Sequence, residues 1–513
     1  MLKFTIRLSD LPDPAWNWDG RAWNSGGSRI EPLVNPSVES FLVETGQRSC
    51  LVIVRERDLH GRLLPAPRTL ADALAWPGDH VTVELTPQGI SVHAGAFGTA
   101  PLYLTVAKGT AAGSWNVTDL LGRVEPGKLV DAAVARALLR TPVYSSTTLF
   151  DGVRRLTERA TAHLDARGVE VAYPNPAEHV LAAREPGGTD MVAAFDEILS
   201  HVVGRLPAPS GQVAAELSGG ADSANVALAA AARHGTIRTV GLVVDGDVGQ
   251  AQARRREILV RHLGAHDLAI PAAGHPPFAP DGVRGRLEPH DPEAAFYREA
   301  FDALRDAARD HAATLVYTGL GGDEISALHP HEHAPHLANE PGAEPDGVSL
   351  PDWAGQVVRA AAGDLTADAA PVSAVPIPTL NAFTLHNPAY LDAGIWPVAP
   401  LAHPLVVRFA EQLPAHHRRD KNLLRERLRR AGLPERVVRP AEPENFLSLM
   451  DRGMREHGAA HLRDMLSASI LVDGGYLDGQ ALRTATEDLE RTGSYGTRLF
   501  DAIALETGLR SLQ

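Results

Sequence analysis

Two hydroxyls, two glycines and an aspartate stand close together in the run Ala214-Ala215-Glu216-Leu217-Ser218-Gly219-Gly220-Ala221-Asp222-Ser223. An apolar, strand-like segment precedes them and a helical one follows. Serine hydroxyls, glycine N–H groups that can approach a ligand closely, and a helix N-terminus make an anion cradle suited to pyrophosphate. Asp222 adds a hard oxygen for magnesium. The Gly-Lys-Ser/Thr ending of a Walker loop is absent, so this is a different kind of phosphate loop. The competing reading is a tight strand-to-helix turn capped by Ser218 or Asp222. The full Ser-Gly-Gly-x-Asp-Ser string between strand and helix favours the cradle.

The elements that must position this loop show in the periodicity. Over the first ~170 residues apolar and polar side chains alternate in short runs such as Phe4-Thr5-Ile6-Arg7-Leu8, Leu51-Val52-Ile53-Val54 and Val81-Thr82-Val83-Glu84-Leu85. That pattern predicts about six to eight antiparallel strands. Prolines and glycines in the stretch 173–188 (YPNPAEHVLAAREPGG) mark a boundary. Beyond it, helix and strand alternate: helix over 191–206, strand over 212–217, helix over 222–234, strand over 239–244. This is the signature of an α/β unit with a parallel sheet. A strong amphipathic helix over 296–313 leads into a strand at Thr314-Leu315-Val316-Tyr317, and the chain beyond about 400 reads as mostly helical. The His- and Pro-rich stretch 329–375 reads as a long loop.

Composition narrows the class. The chain has 513 residues with 44% hydrophobic side chains, which exceeds what one core usually holds and predicts two domains. Lys and Arg number 49 against 63 Asp and Glu, a formal charge of −14 that argues against nucleic acid as the main partner. A single cysteine, Cys50, excludes an internal disulfide or a Cys-based metal centre and suits a reducing, cytoplasmic setting. The N-terminus alternates like a strand and lacks the apolar stretch of a signal peptide, and no run approaches the ~20 apolar residues of a membrane span.

Taken with the loop, a second element points to a family. Val316-Tyr317-Thr318-Gly319-Leu320-Gly321-Gly322-Asp323-Glu324 is similar to the strand and TGxGxDE segment of the class B asparagine synthetase superfamily, whose synthetase domain also carries an SGGxDS loop. Further stretches resemble that family: Gly95-Ala96-Phe97-Gly98-Thr99-Ala100-Pro101-Leu102-Tyr103 in the N-terminal sheet, Pro400-Leu401-Ala402-His403, and Arg418-Arg419-Asp420-Lys421-Asn422-Leu423-Leu424-Arg425. The resemblance implies an Ntn-type glutaminase-like domain over 1–175 and an ATP-pyrophosphatase-type α/β synthetase domain over 190–513. It implies ATP and magnesium as cofactors, with Asp222 and Asp323 as the magnesium pair. Leu217, Ser218, Gly219, Gly220 and Ser223 would line the pyrophosphate site, Gly319 and Gly321 would close over the adenylate, and Leu242 would lie against adenine.

Three departures bear on function. Glutamine-dependent members carry a cysteine nucleophile where this chain has Leu2, and Cys50 sits in an apolar strand, so glutamine hydrolysis is not expected. Leu320 replaces the glutamate of asparagine synthetases and the tyrosine of carbapenam and β-lactam synthetases. Ala441 stands where the family has a lysine that supports the adenylate and the developing oxyanion. Lys421 or Arg439 is then expected to supply that charge, because charge developing in a dry site needs compensation. Glu324 and the histidines at 329, 331, 333 and 336 are candidates for taking the proton of the attacking amine.

A TGxGGD string with a dead glutaminase domain is similar to lasso peptide cyclases. That likeness implies an ATP-dependent macrolactam synthetase that adenylates an Asp or Glu side chain of a linear core peptide and joins it to the peptide's N-terminal amine. A leader-binding protein and a leader peptidase would be its partners. Two other readings stand beside it: an amide or lactam synthetase for a small amino acid, and a non-catalytic nucleotide- or peptide-binding scaffold.

Overall fold

The structure, a computed structural model, describes residues 1–11, 15–46, 49–58, 66–180, 188–329, 332, 350–442, 444–496 and 498–513. Among them, antiparallel sheets occupy the N-terminal part and a parallel sheet the later part, the α/β architecture that the change of periodicity predicts. Seven antiparallel strands form one N-terminal sheet and six form another. Their facing side chains share a core, with Phe4, Ile6, Ile30 and Leu104 from the first sheet and Val52, Val54, Val83 and Val92 from the second. Alternation sends Leu51 and Ile53 to the opposite face, onto Ala73 of the short helix Leu70–Leu74.

Thirteen strands thus stand where alternation predicts six to eight. The extra ones, such as Asn17–Trp18 and Trp23–Ser25, are short and carry little strand signal. Cys50 lies in the strand Ser49–Glu56, 4% exposed, and burial pushes its thiol up to about 11. Leu2 is fully buried.

The parallel sheet contains β1 (Val213–Glu216), β2 (Arg238–Val243), β3 (His266–Pro271), β4 (Leu315–Tyr317) and β5 (Trp396–Val398), in the order β3-β2-β1-β4-β5. The order reverses at β1, which pairs with β2 on one side and β4 on the other. Connections leave β1 and β4 in opposite directions, and ligands of such sheets bind in the crevice beyond the C-terminal ends of strands at a reversal of this kind. Helix α1 (Met191–Gly204) precedes the sheet; α2 (Ala221–His234), α3 (Gly246–Leu263), α4 (Arg298–Asp310) and α5 (Ile377–Asp392) lie between its strands in the chain, and α6 (Asn422–Arg430) follows. Phe195, Leu199, Ala215, Val226, Leu423 and Leu424 share a core on one face, while Val240, Leu242, Ala300 and Leu304 pack on the other.

Of the helices that end the chain, Leu447–Gly453 touches this sheet's core through Leu449, and most of the rest is buried elsewhere. Met450, Leu462, Leu482, Phe500 and Ile503 instead share a core with Val134 and Leu138 of the helix Asp131–Leu139 and with Tyr103 and Val153 of the seven-stranded sheet. Buried polar ties join the halves further: Arg205 bonds Glu56 and Asp58, the Trp396 indole donates to Glu56, and Asn387 donates to the Thr99 carbonyl. In the stretch 173–180 the Tyr173 hydroxyl donates to the Asp368 carbonyl. Much of the 329–375 stretch lies outside the described residues; within the rest, Trp353, Val358 and Leu365 are buried in the same helical core. No helix among the described residues is long and apolar enough to cross a membrane.

Candidate active site

Residues 217–220 turn the chain from β1 into α2. Gly219 has φ +97°, a left-handed conformation that a side chain would strain. Gly220 is the N-cap of α2 and offers no capping side chain, so first-turn N–H groups remain free to face an anion. The two hydroxyls brace the loop: Ser218 Oγ and Ser223 Oγ are 3.1 Å apart, the Ser218 N–H donates to Ser223 Oγ at 3.2 Å, and the Gly220 N–H donates to Ser218 Oγ at 3.2 Å. Leu217 donates its N–H to Val240 O at 2.8 Å, holding the start of the loop on β2. Buried Gln252 of α3 completes the support, donating to Ser218 O and Leu242 O at 2.9 Å each while accepting from the Val244 N–H.

The loop after β4 reaches the same crevice by close packing. A Cβ at Gly319 would fall 2.9 Å from the Ser223 nitrogen, and one at Gly322 only 2.3 Å from Asp222 Cγ. Gly321 backs onto the Leu401–Ala402 backbone. Glycine at these positions lets residues 318–322 rest on the first turn of α2, which brings Asp323 towards Asp222. Leu320 fills an apolar cluster with Leu380 and Phe383, so the position that carries a polar residue in the resembled enzymes serves packing in this chain.

Lys421 joins the two carboxylates. Its Nζ is 2.5 Å from Asp222 Oδ2 and 2.6 Å from Asp323 Oδ1. Asp420 and Lys421 both adopt left-handed backbone, at φ 54° and 57°, which is uncommon for residues with side chains and costs of order 1–3 kcal/mol each. That strained turn delivers the ammonium to the crevice. Burial raises the Asp222 carboxyl above its ordinary range against the pull of Lys421, with Asp323 and Glu324 adding repulsion. Burial disfavours the Lys421 ammonium too, but the two aspartates outweigh it and raise its pKa.

The donor set fits magnesium. Asp222 Oδ1 is buried and has no hydrogen-bond partner among the described residues, Asp323 is largely exposed, and both offer hard oxygen donors beside the loop. Among the described residues no group of three or more His, Cys, Asp or Glu is arranged to hold a metal, so phosphate oxygens would have to complete the coordination.

The remaining candidates are less central. Glu324 accepts from Thr379 Oγ1 at 3.1 Å. Arg439 is half-exposed and lines an open depression with His416, Arg419, Asp420 and Asn422, beside the turn that carries Lys421. Leu242 is buried among Val240, Ala272 and Leu449. His329 is buried beside the Glu411 carbonyl, at 3.0 Å, and His331, His333 and His336 lie outside the described residues.

Sequence reasoning missed Gln252, Arg255 and Glu444. Arg255 of α3 is buried and bonds Glu444 at 2.6 Å, and Glu444 sits against Gly220. The one available signal was a run of three arginines, Arg254-Arg255-Arg256, on a helix leading away from the phosphate loop.

No protein-family profile matches the chain, and no curated protein matches it. Among solved structures, an allosteric regulatory enzyme of purine biosynthesis is similar at 11% identity, covering 50% of this chain and 70% of its own, with a TM-score of 0.20. Glutamine phosphoribosylpyrophosphate amidotransferase from B. subtilis, complexed with ADP and GMP, is similar at 10% identity, covering 62% of this chain and 81% of its own, with a TM-score of 0.19. The functional reading therefore rests on the site itself.

Proposed function

We propose that the chain is an ATP-dependent, AMP-forming carbon–nitrogen ligase that closes a lasso-type macrolactam on a linear core peptide. The observation that carries the ligase reading is the meeting of an uncapped phosphate loop, two carboxylates and Lys421 at the reversal point of a parallel sheet. The peptide reading rests on the resemblance and on its departures at Leu2, Leu320 and Ala441.

In the first step an Asp or Glu side-chain carboxylate of the peptide attacks the α-phosphorus of ATP. A P–O bond breaks, giving the acyl-adenylate and pyrophosphate. The peptide's N-terminal amine then attacks the acyl carbon, the bond to AMP breaks, and the amine gives up one proton. A carboxylate is a poor electrophile, and its mixed anhydride with AMP has a good leaving group. Ser218, Gly219, Gly220 and Ser223 hold the departing pyrophosphate, and Gly319 and Gly321, by letting the second loop pack closely, bring it over the adenylate. Lys421 offsets its charge in a site from which water is partly excluded. Asp222 and Asp323 would hold magnesium, which supplies charge neutralisation on the phosphates when bound. Glu324 takes the amine proton in this reading, and Arg439 adds positive charge at the rim. A leader-binding protein and a leader peptidase belong to the same proposal, because the amine must be freed before it can react.

The test is AMP and pyrophosphate formation from ATP and magnesium, comparing a leader-free peptide with an internal Asp or Glu against aspartate plus ammonium. Peptide-dependent AMP with loss of one water from the peptide supports macrolactam closure. Turnover of the small substrates alone replaces it with a small-molecule amide synthetase. No turnover of either leaves a binding scaffold.

A further inference from the structure

Two arginines stand side by side on α3 behind the phosphate loop, and neither belongs to the machinery described so far. Arg255 is 4% exposed and Arg256 is 1% exposed. A Cβ at Gly219 would lie 3.5 Å from Arg256 Cγ and 3.8 Å from Arg255 Cβ, so both side chains start directly against the loop. Their hydrogen-bonding capacity is not used up: Arg255 Nε and Arg256 Nε and Nη1 are buried without partners. Arg256 is anchored by Asp267, and its guanidinium occupies space left by Gly241, where a Cβ would fall 1.9 Å from Nη1. Among the described residues Arg255 is held by Glu444 Oε2, at 2.6 Å.

Glu444 is misplaced for an anion site. Its other oxygen lies 3.5 Å from where a Cβ of Gly220, the N-cap of α2, would stand, so a carboxylate sits beside the uncapped α2 N-terminus. A helix N-terminus and a buried guanidinium both favour an anion there, and in the ligand-free chain Glu444 supplies it. Pyrophosphate binding at that N-terminus would meet this carboxylate, and like charges at contact distance repel strongly where water is scarce.

We infer that Glu444 is a resident stand-in for phosphate, and that nucleotide binding expels it and transfers Arg255 to the pyrophosphate. The inference rests on the ligase reading above. Arg255 is then a pyrophosphate-binding residue and Glu444 a latch that competes with the ligand.

The experiment is calorimetric titration of the full chain with inorganic pyrophosphate and magnesium, for the wild type, Glu444→Gln and Arg255→Gln. Glu444→Gln keeps the shape and removes the competing charge, so pyrophosphate should bind about tenfold more tightly. Arg255→Gln should weaken binding on the order of tenfold or more. Opposite signs are the discriminating result, because a purely structural ion pair would make both variants bind alike. Unchanged or weaker binding by Glu444→Gln in a wild type that binds overturns the latch and leaves the ligase reading standing. A wild type that binds neither pyrophosphate nor ATP overturns both. Should Arg255→Gln fail to fold, the isosteric Glu444→Gln decides the matter alone.

Discussion

Lys421 Nζ lies 2.5 Å from Asp222 Oδ2, a contact between residues 199 positions apart in the sequence. With Asp323 at 2.6 Å on its other side, the ammonium holds together two carboxylates that would otherwise repel. Because Lys421 faces the phosphate loop, its charge is available to developing phosphate charge. Replacing it with Met should lower AMP formation about 10²–10³-fold, the range for removal of one preorganised electrostatic partner. Lys421→Arg should recover part of that loss. Steady-state AMP release checks both variants, and a Met variant at wild-type rate would restrict Lys421 to holding the apo site together.

Gly322 is where the second loop touches the first. A methyl group at this position would fall 2.3 Å from Asp222 Cγ, so Gly322→Ala must move either the aspartate or the loop. Overpacking of this kind costs typically 1–3 kcal/mol, and a misplacement near 1 Å can cost 10²-fold in rate. AMP formation should therefore fall by at least an order of magnitude while the melting temperature drops by a few degrees. Gly363→Ala, with open space around the new methyl, is the control and should change neither.

The sequence was legible where chemistry and local periodicity coincide. Ser218 to Ser223 can be read because strand, loop and helix follow one another within a few residues. Asp323 could be named through the likeness of residues 316–324 to the TGxGxDE segment of the resembled family, and it meets Asp222 at Lys421. Arg255 and Glu444 were not legible, because their contact spans 189 positions and neither side chain belongs to a motif. The short strands of the N-terminal sheets escaped for another reason: Asn17–Trp18 and Trp23–Ser25 are too short to show alternation, and pairing with Ser28–Pro32 determines Trp23–Ser25 instead. The placement of the C-terminal helices on the seven-stranded sheet was equally hidden, since amphipathic periodicity says which face is buried but not against what.

Cys50 gives a prediction about the N-terminal half. At 4% exposure and with its thiol pushed up to about 11 by burial, it presents almost no thiolate at neutral pH. The folded chain should resist alkylation at pH 8 and react only after denaturant is added. Cys50→Ala should cost about 1 kcal/mol or somewhat more from the lost packing and leave AMP formation unchanged. Rapid labelling of the native protein would contradict the buried placement, and glutamate release from glutamine would contradict the loss of glutaminase chemistry.

Asp368 fixes the last prediction, on acid stability. Its carboxylate accepts from Arg136 and from Ser145 Oγ, which ties the segment around 368 to the helix Asp131–Leu139. Burial works to raise its pKa, but Arg136 and the hydroxyl donors prevail and bring it down to about 2 from 3.8. The folded state therefore binds fewer protons than the unfolded state in that interval, and stability rises with pH across it. The contribution is complete above about pH 4 and disappears as the pH falls towards 2. Asp368→Asn removes the titrating group, so its melting temperature should lie below the wild type's at pH 5, and the difference should shrink steadily towards pH 2. Thermal unfolding followed by circular dichroism at several pH values measures this directly. A gap between the two proteins that stays constant from pH 5 to pH 2 would show that the Asp368 carboxylate does not depend on Arg136 for its ionised form.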